Sequence, residues 1–381
     1  MNNMREVVEQ RIASKIQRGH TNAQQATARL IREGKIAKDF IFEVGTDKKG
    51  IEKRINFHPS IAGGVGATFF MPDGAGGTQL EEFNIHTNAL RQVSEKLKIP
   101  TTYLISLLIG QEWEQKLGYE ILNTHNGWTD RNRVLVRSVG TEVRAFLSDQ
   151  YRRLNSEMIM NAHVDSIYKC GGRLSDGFMS DTRMMVESIY PQAIEIVTEK
   201  NGTIYVAFGT RTVSSDYGQG ALDMRSFILQ GVCLNGAVRE RVLREIHLGA
   251  KLPDNLALSE RTYTLDSLTT MSAVEDLTRN LYSSEVIKDR MLEVKAATEV
   301  VVDANQMLTS MRGLGKLMKG EVDEIGKILM RNDPMDGIQG ESTLWKLSQG
   351  IAAYANTEGV EQERRMDLQE IAGELFNKIK N

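Results

Sequence analysis

RVLVRSVGTEVRAFL, residues 133–147, is the stretch whose reading decides the fold. Two runs of alternating branched and polar residues flank Gly140-Thr141, and a glycine in the first central position suits a two-residue type II′ turn. The reading is a β-hairpin. Its turn predicts a register with Val139 opposite Glu142, Arg137 opposite Arg144, Leu135 opposite Phe146 and Arg133 opposite Ser148. Strand side chains alternate between faces, so Val134, Val136, Ser138, Val143, Ala145 and Leu147 should face the core. The other face carries Arg133, Leu135, Arg137, Arg144 and Phe146, with Arg131, Tyr151, Arg152 and Arg153 just beyond. Like charges opposed across a strand pair cost about 0.2–1 kcal/mol. A polyanion over this face would relieve that cost. Guanidinium forks grip phosphates, and Phe146 or Tyr151 offers a ring to an unstacked base. The competing reading is a solvated sheet face whose arginines are neutralised by Glu142, Asp149 and Glu157.

Outward from the hairpin, residues 4–33 read as a helix with Val7, Val8, Ile12, Ile16 and later Ala23, Ala26, Leu30 and Ile31 in amphipathic spacing. Residues 40–58 read as short strands around an Asp47-Lys48-Lys49-Gly50 turn, and the glycine-rich 63–77 reads as a loop. A helix spans Thr87–Leu97, and a second, capped by Thr101 or Thr102, runs to about Leu117. Residues 156–169 are helical. Met184–Phe227 turns to strands, with Asn201-Gly202 as a hairpin signal. Residues 235–247, 268–331 and 342–378 return to helix. The expected fold is α+β: a central antiparallel sheet, a helical N-terminal arm and a long helical C-terminal region. The expected division is 1–77, 78–265 and 266–381.

The bulk numbers bound the function. The chain has 381 residues, 41% apolar and 25% charged, an ordinary globular balance. It has no apolar stretch long enough to span a bilayer and no apolar leader, so a cytoplasmic, non-membrane protein is expected. Two cysteines, Cys170 and Cys233, do not make a disulfide framework. The net charge of −3 hides a pattern. Residues 1–54 hold 12 basic and 7 acidic residues, +5; residues 131–173 hold 8 and 4, +4; residues 252–381 hold 15 and 22, −7. Positive charge therefore sits in the N-terminal arm and around the hairpin.

Catalytic patterns are absent. The six histidines are scattered and no Cys-x-x-Cys exists, so no metal site and no cofactor is expected. The run Gly63–Thr68 lacks the Gly-Lys-Ser/Thr of a phosphate-binding loop. Glu293-Val294-Lys295 has a Glu-x-Lys form seen in some nucleases, but it lies in helical sequence. A nuclease is the minor alternative, and no catalytic residue is assigned. Asp216–Gly220 reads as a polar turn, and Ile287, Met291, Val294, Val301, Leu308 and Met311 read as core or helix-pairing surface.

The segment Val136–Leu154, VRSVGTEVRAFLSDQYRRL, resembles the signature of an uncharacterised phage/plasmid-like protein family. Ile99–Leu104, Asn123–Trp128, Gln230–Gly236, Ile246–Gly249 and Thr343-Leu344-Trp345 are similar to that family's other blocks, so the likeness spans roughly residues 80–380. The family carries no assigned activity. Its layout is similar to that of phage single-strand annealing recombinases, which form rings or filaments and hold single-stranded DNA in a basic groove without ATP. This is a fold-level analogy. It implies single-stranded DNA as ligand, a homo-oligomer, and a phage exonuclease or single-strand binding protein as partner in recombination or replication within a host cell. The nucleic-acid contacts expected are Arg131, Arg133, Arg137, Arg144, Phe146, Tyr151, Arg152 and Arg153. The alternative is a phage structural or protein-interaction protein without nucleic-acid activity.

Overall fold

The computed structural model describes residues 4–46, 52–72, 78–126, 133–149, 151, 156–232, 234–245, 259–331 and 338–380. It is mixed α+β, as expected, but built on two sheets. Helix α1 (Met4–Ile36) leads into β1 (Ala37–Glu43), β2 (Gly45–Thr46), β3 (Glu52–Pro59), β4 (Val65–Pro72) and β5 (Thr78–Ile85). Helices α2 (Thr87–Lys96), α3 (Thr101–Leu108) and α4 (Glu112–Asn126) precede the hairpin β6 (Arg133–Val139) and β7 (Glu142–Leu147). These strands form the first sheet, ordered β1-β6-β7-β5-β4-β3-β2. The sheet runs across residue 77, where the sequence placed a boundary. Helices α2–α4 cover one face, burying Leu90, Val93, Leu104 and Leu122 against Phe57, Phe69 and Val136.

Helix α5 (Ser156–Lys169) leads to the second sheet: β8 (Arg173–Met179), β9 (Met184–Ile189), β10 (Ile194–Thr198), β11 (Gly202–Ser214), β12 (Leu222–Gln230) and β13 (Gly236–Glu245). Its order is β13-β12-β11-β9-β8, with β10 also pairing β11. Asn201-Gly202 does close the β10–β11 hairpin. The remaining helices are α6 (Glu260–Leu281), α7 (Ser284–Glu299), α8 (Ala304–Gly313), α9 (Lys319–Arg331), α10 (Leu344–Ala355) and α11 (Gln362–Glu374). Val294, Leu308, Trp345 and Phe376 bury one face of the second sheet's β10–β13 half, while Val8 and Ile12 of α1 cover part of the other. Val301, expected in the core or on a helix-pairing surface, is exposed.

Three local expectations are corrected. Val65–Pro72 of the expected glycine loop is strand β4, because Ala67 and Phe69 alternate into the core against Phe57. Residues 236–245 are strand, not helix: Ala237 and Val238 point to opposite cores. The helix expected from Thr101 to Leu117 breaks after Leu108, with Gly110 in the break, and restarts at Glu112.

Both edges of the second sheet carry a helix, which removes two free pairing surfaces. At the β8 edge, α1 presents Gly19, Ala23 and Ala26. A Cβ on Gly19 would sit 2.1 Å from the Ser175 carbonyl carbon, so only glycine allows this approach. At the β13 edge, Gly373 of α11 packs as closely on the Val238 carbonyl.

Candidate nucleic-acid interface

The hairpin forms, with Gly140 at φ +59 in its turn, but its register is not the one the sequence suggested. Val139 pairs with Glu142 and Ser138 with Val143; Arg137 then pairs with Ala145, Val136 with Phe146 and Leu135 with Leu147. Arg144 is the extra residue of a β-bulge. The bulge shifts Phe146 onto the face of Val136, where it stacks on Phe69 in the first core. It also puts Arg137 on the face of Ala145, so the two arginines are never opposed.

Both faces of the hairpin are buried. Arg137 is 1% exposed, and the residue across from it on β1 is Asp39. Its Nε and Nη2 donate to the two Asp39 carboxylate oxygens at 2.7 and 2.6 Å, and its Nη1 donates to the Asp216 carbonyl. Arg144 donates to Glu142 at 2.8 Å, to Glu33 of α1 at 2.5 Å and to the Asp181 carbonyl at 3.2 Å. Burial alone would lower the pKa of each guanidinium. The carboxylate hydrogen bonds outweigh it, and both are raised. Tyr151 is buried with Leu135, Ala145 and Tyr217, and Arg137 lies over its ring.

The expected phosphate face is therefore a fastening between the two sheets. The Asp216–Gly220 turn belongs to the same junction: the Tyr217 carbonyl accepts from Asn88 and Gln92 of α2. Of the expected contacts, Arg137, Arg144, Phe146 and Tyr151 are interior, and both guanidiniums are already held by carboxylates. Arg133 is exposed, 3.5 Å from Asp149. Arg131, Arg152 and Arg153 lie outside the described residues. Glu293 of the Glu-x-Lys segment is held by Arg290 at 2.6 Å and Arg239 at 3.2 Å. Among the described residues no cluster of His, Cys, Asp or Glu could hold a metal ion, and no helix is long and apolar enough to cross a membrane.

A different surface gathers positive charge. Arg11, Lys15, Arg18, Asn22, Gln25, Arg29 and Arg32 follow one another in α1 at alternating spacings of four and three. That spacing keeps them on one flank of the helix, beside the buried stripe, over about 32 Å. The flank contains no acidic residue. Against it lies β8, and the two elements enclose a groove. One part, about 330 Å³, is lined by Lys15, Arg18, Asn22, Ser175 and Asp176, with Arg365 of α11 opposite. The next, about 260 Å³, is lined by Asn22, Gln25, Arg29, Phe178 and Met179.

The charges of this groove differ from those of the hairpin. Arg29 is engaged by Glu33 at 2.7 Å and by the Met179 carbonyl at 2.9 Å. Among the described residues Lys15, Arg18 and Arg32 have no hydrogen bond or ion pair. Asp176, an acid on the β8 wall, already accepts from Asn22 and from the Gly177 amide, both at 2.9 Å. Phe178 is half-buried and lines the groove. The sequence held the signal for this flank in its spacing, and the +5 of the N-terminal arm pointed to its region. The hairpin's density of arginine drew attention away from it. Compared with family models, curated proteins and solved structures, the chain matches none.

Proposed function

We propose that this protein binds single-stranded nucleic acid along the α1–β8 groove. The observation that carries the reading is the flank Arg11–Arg32, with Lys15, Arg18 and Arg32 free of carboxylate partners among the described residues. Desolvated or paired cations have no electrostatic energy to offer a phosphate. Solvated, unpaired ones release counterions when they meet a phosphate chain. Phe178 supplies a π-face beside the cations, and every base can stack on one. Annealing of complementary strands without nucleotide hydrolysis, in recombination or replication of a phage or mobile element, is the more specific form of this proposal. It follows the expectation raised by the resemblance of residues 80–380, which does not include α1.

The test is fluorescence anisotropy with a labelled oligonucleotide at low and moderate salt. Lys15→Ala with Arg18→Ala and Arg32→Ala should weaken binding at least tenfold and flatten the salt dependence by about two to three phosphate contacts. No binding by the intact chain at low salt, or a triple variant that binds as well, overturns the proposal.

A self-assembly role without nucleic acid is the second reading. It is favoured by Tyr103, Ile109 and Trp113, which are 50, 78 and 62% exposed along α3 and α4. The mass of the purified chain with and without oligonucleotide separates the two. A ring or filament that forms without oligonucleotide, from a chain that binds none, favours assembly.

A further inference from the structure

The larger part of the α1–β8 groove, about 330 Å³, is charged unlike the rest of it. Its lining holds four ionisable side chains: Lys15 and Arg18 on α1, Arg365 on α11 across from them, and Asp176 on β8. Three positive charges stand against one negative, a surplus of two. Among the described residues no carboxylate pairs with any of the three cations. Lys15 and Arg18 have no hydrogen bond or ion pair. Arg365 donates from Nε to the Ala355 carbonyl at 3.0 Å and from Nη1 to the Gln362 side chain at 3.2 Å, which leaves Nη2 unengaged. The one acid, Asp176, accepts through Oδ1 from Asn22 and from the Gly177 amide.

A second feature points to a ligand. Ser175 of β8 lines the same space, is 1% exposed, and its Oγ has no hydrogen-bond partner among the described residues. A buried hydroxyl without a partner is costly, and native interiors rarely keep one where nothing binds. The next part of the groove, beside Gln25 and Phe178, has a different character. Arg29 is its single ionisable lining residue, and Glu33 and Asp181 engage it. A phosphodiester inside a strand carries one negative charge. A phosphate monoester carries about −1.5 to −2 at neutral pH, with three acceptor oxygens, and so matches a surplus of two. A carboxylate would leave one positive charge unmet. The guanidiniums of Arg18 and Arg365 can grip phosphate oxygens from two sides, Lys15 adds a point charge, and Ser175 adds a hydroxyl donor.

We infer that this part of the groove is a seat for a phosphate monoester, filled in a bound strand by its terminal phosphate. The nucleotides that follow run past Gln25 and Phe178 towards Arg32. The terminal-phosphate form deepens the proposed single-strand binding and rests on it. The seat itself takes a phosphate monoester with or without a strand attached.

The test has two arms, both on the full chain. Fluorescence anisotropy at low salt compares one oligonucleotide carrying a 5′-phosphate, a 3′-phosphate or neither. A thermal-shift titration uses inorganic phosphate against sodium chloride of equal ionic strength. A phosphorylated end should tighten binding about tenfold over the unphosphorylated strand. Inorganic phosphate at about 10 mM should raise the melting temperature by about 2 °C where chloride does not. Arg365→Gln and Ser175→Ala should each narrow the tenfold ratio to about threefold or less. Ser175→Ala deletes a hydroxyl that has no partner, so the chain folds as the parent does. Equal affinity for all three strands overturns the inference and leaves the groove proposal standing. So does a ratio that neither variant narrows. If no strand binds, the groove proposal fails and the phosphate arm decides alone. A shift that Arg365→Gln abolishes then supports a seat for a small phosphate ester, and no shift overturns it.

Discussion

Arg137 and Asp39 face one another across the β1–β6 ladder, joined by two hydrogen bonds of 2.7 and 2.6 Å, with the arginine wholly interior and the aspartate at the rim. The pair fixes the N-terminal strand to the hairpin, and the same guanidinium reaches the Asp216 carbonyl in the turn between β11 and β12. One side chain thereby ties three segments far apart in sequence. Its charge persists because the carboxylate outweighs the cost of burial.

Removing the carboxylate should therefore expose that cost. Asp39→Ala leaves a buried cation with a backbone carbonyl and the Tyr151 ring as its remaining company. Breaking one side of a buried pair costs about 3–5 kcal/mol, and the partial exposure of Asp39 places this case near 3. Urea unfolding should show that loss with an unchanged m-value, while oligonucleotide affinity stays as in the parent. A loss below about 0.5 kcal/mol would mean that water solvates Arg137 after all.

The alternation of residues 133–147 was enough to read the hairpin, because period-two patterning and a Gly-first turn are local signals. The bulge at Arg144 was not readable. It is set by Glu33, Glu142 and Asp181, which reach it from α1, the hairpin itself and the second sheet. An arginine-rich strand looks the same whether its charges meet water, phosphate or distant carboxylates, and 111 residues separate Arg144 from Glu33. The helix expected at 235–247 failed for a related reason. A strand buried on both faces loses clean alternation, and tertiary pairing with β12 overrides the local preference.

The close approach of α1 to β8 makes Gly19 a second test. Any Cβ there meets the Ser175 backbone at 2.1 and 2.2 Å, and backbone cannot swing aside as a side chain can. Gly19→Val should cost about 1–3 kcal/mol, as overpacking does. The groove is bounded by these same two elements, so oligonucleotide binding should fall as well. Hydrogen exchange should show faster opening of α1 than of β11–β12. A fully stable Gly19→Val chain with parental exchange would place the helix elsewhere.

His163 makes stability depend on pH. It is wholly buried between two hydroxyls: Nδ1 lies 2.9 Å from Thr278 Oγ1, and Nε2 lies 2.9 Å from Thr212 Oγ1. Thr278 Oγ1 gives its proton to the Val274 carbonyl at 2.6 Å, so His163 Nδ1 donates to it and Nε2 accepts from Thr212. The neutral ring is satisfied, and burial lowers its pKa from 6.5 to about 3. The unfolded chain takes up a proton below pH 6.5 that the folded chain refuses. Stability should therefore fall as pH drops from 6.5 towards 3, by about 1.4 kcal/mol per unit from this group. His163→Gln should lower stability at pH 7 and flatten that acid limb. An acid limb of unchanged slope in the variant would assign the effect to other groups.

Phe178 separates stacking from charge in the groove. It is half-buried on β8 and lines the stretch beside Gln25 and Arg29. Loss of a stacking ring costs about 1–3 kcal/mol per base in single-strand binding, whereas loss of a phosphate contact changes the salt slope. Phe178→Ala should therefore weaken single-stranded oligonucleotide binding roughly fivefold or more with the slope of log affinity against log salt unaltered. The Lys15, Arg18 and Arg32 variants should show the reverse: a shallower slope whose affinity gap closes as salt rises. The two signatures are independent, so anisotropy at three salt concentrations distinguishes them. A Phe178→Ala chain with parental affinity at every salt would leave the groove a purely electrostatic track, holding the phosphates and leaving the bases to pair.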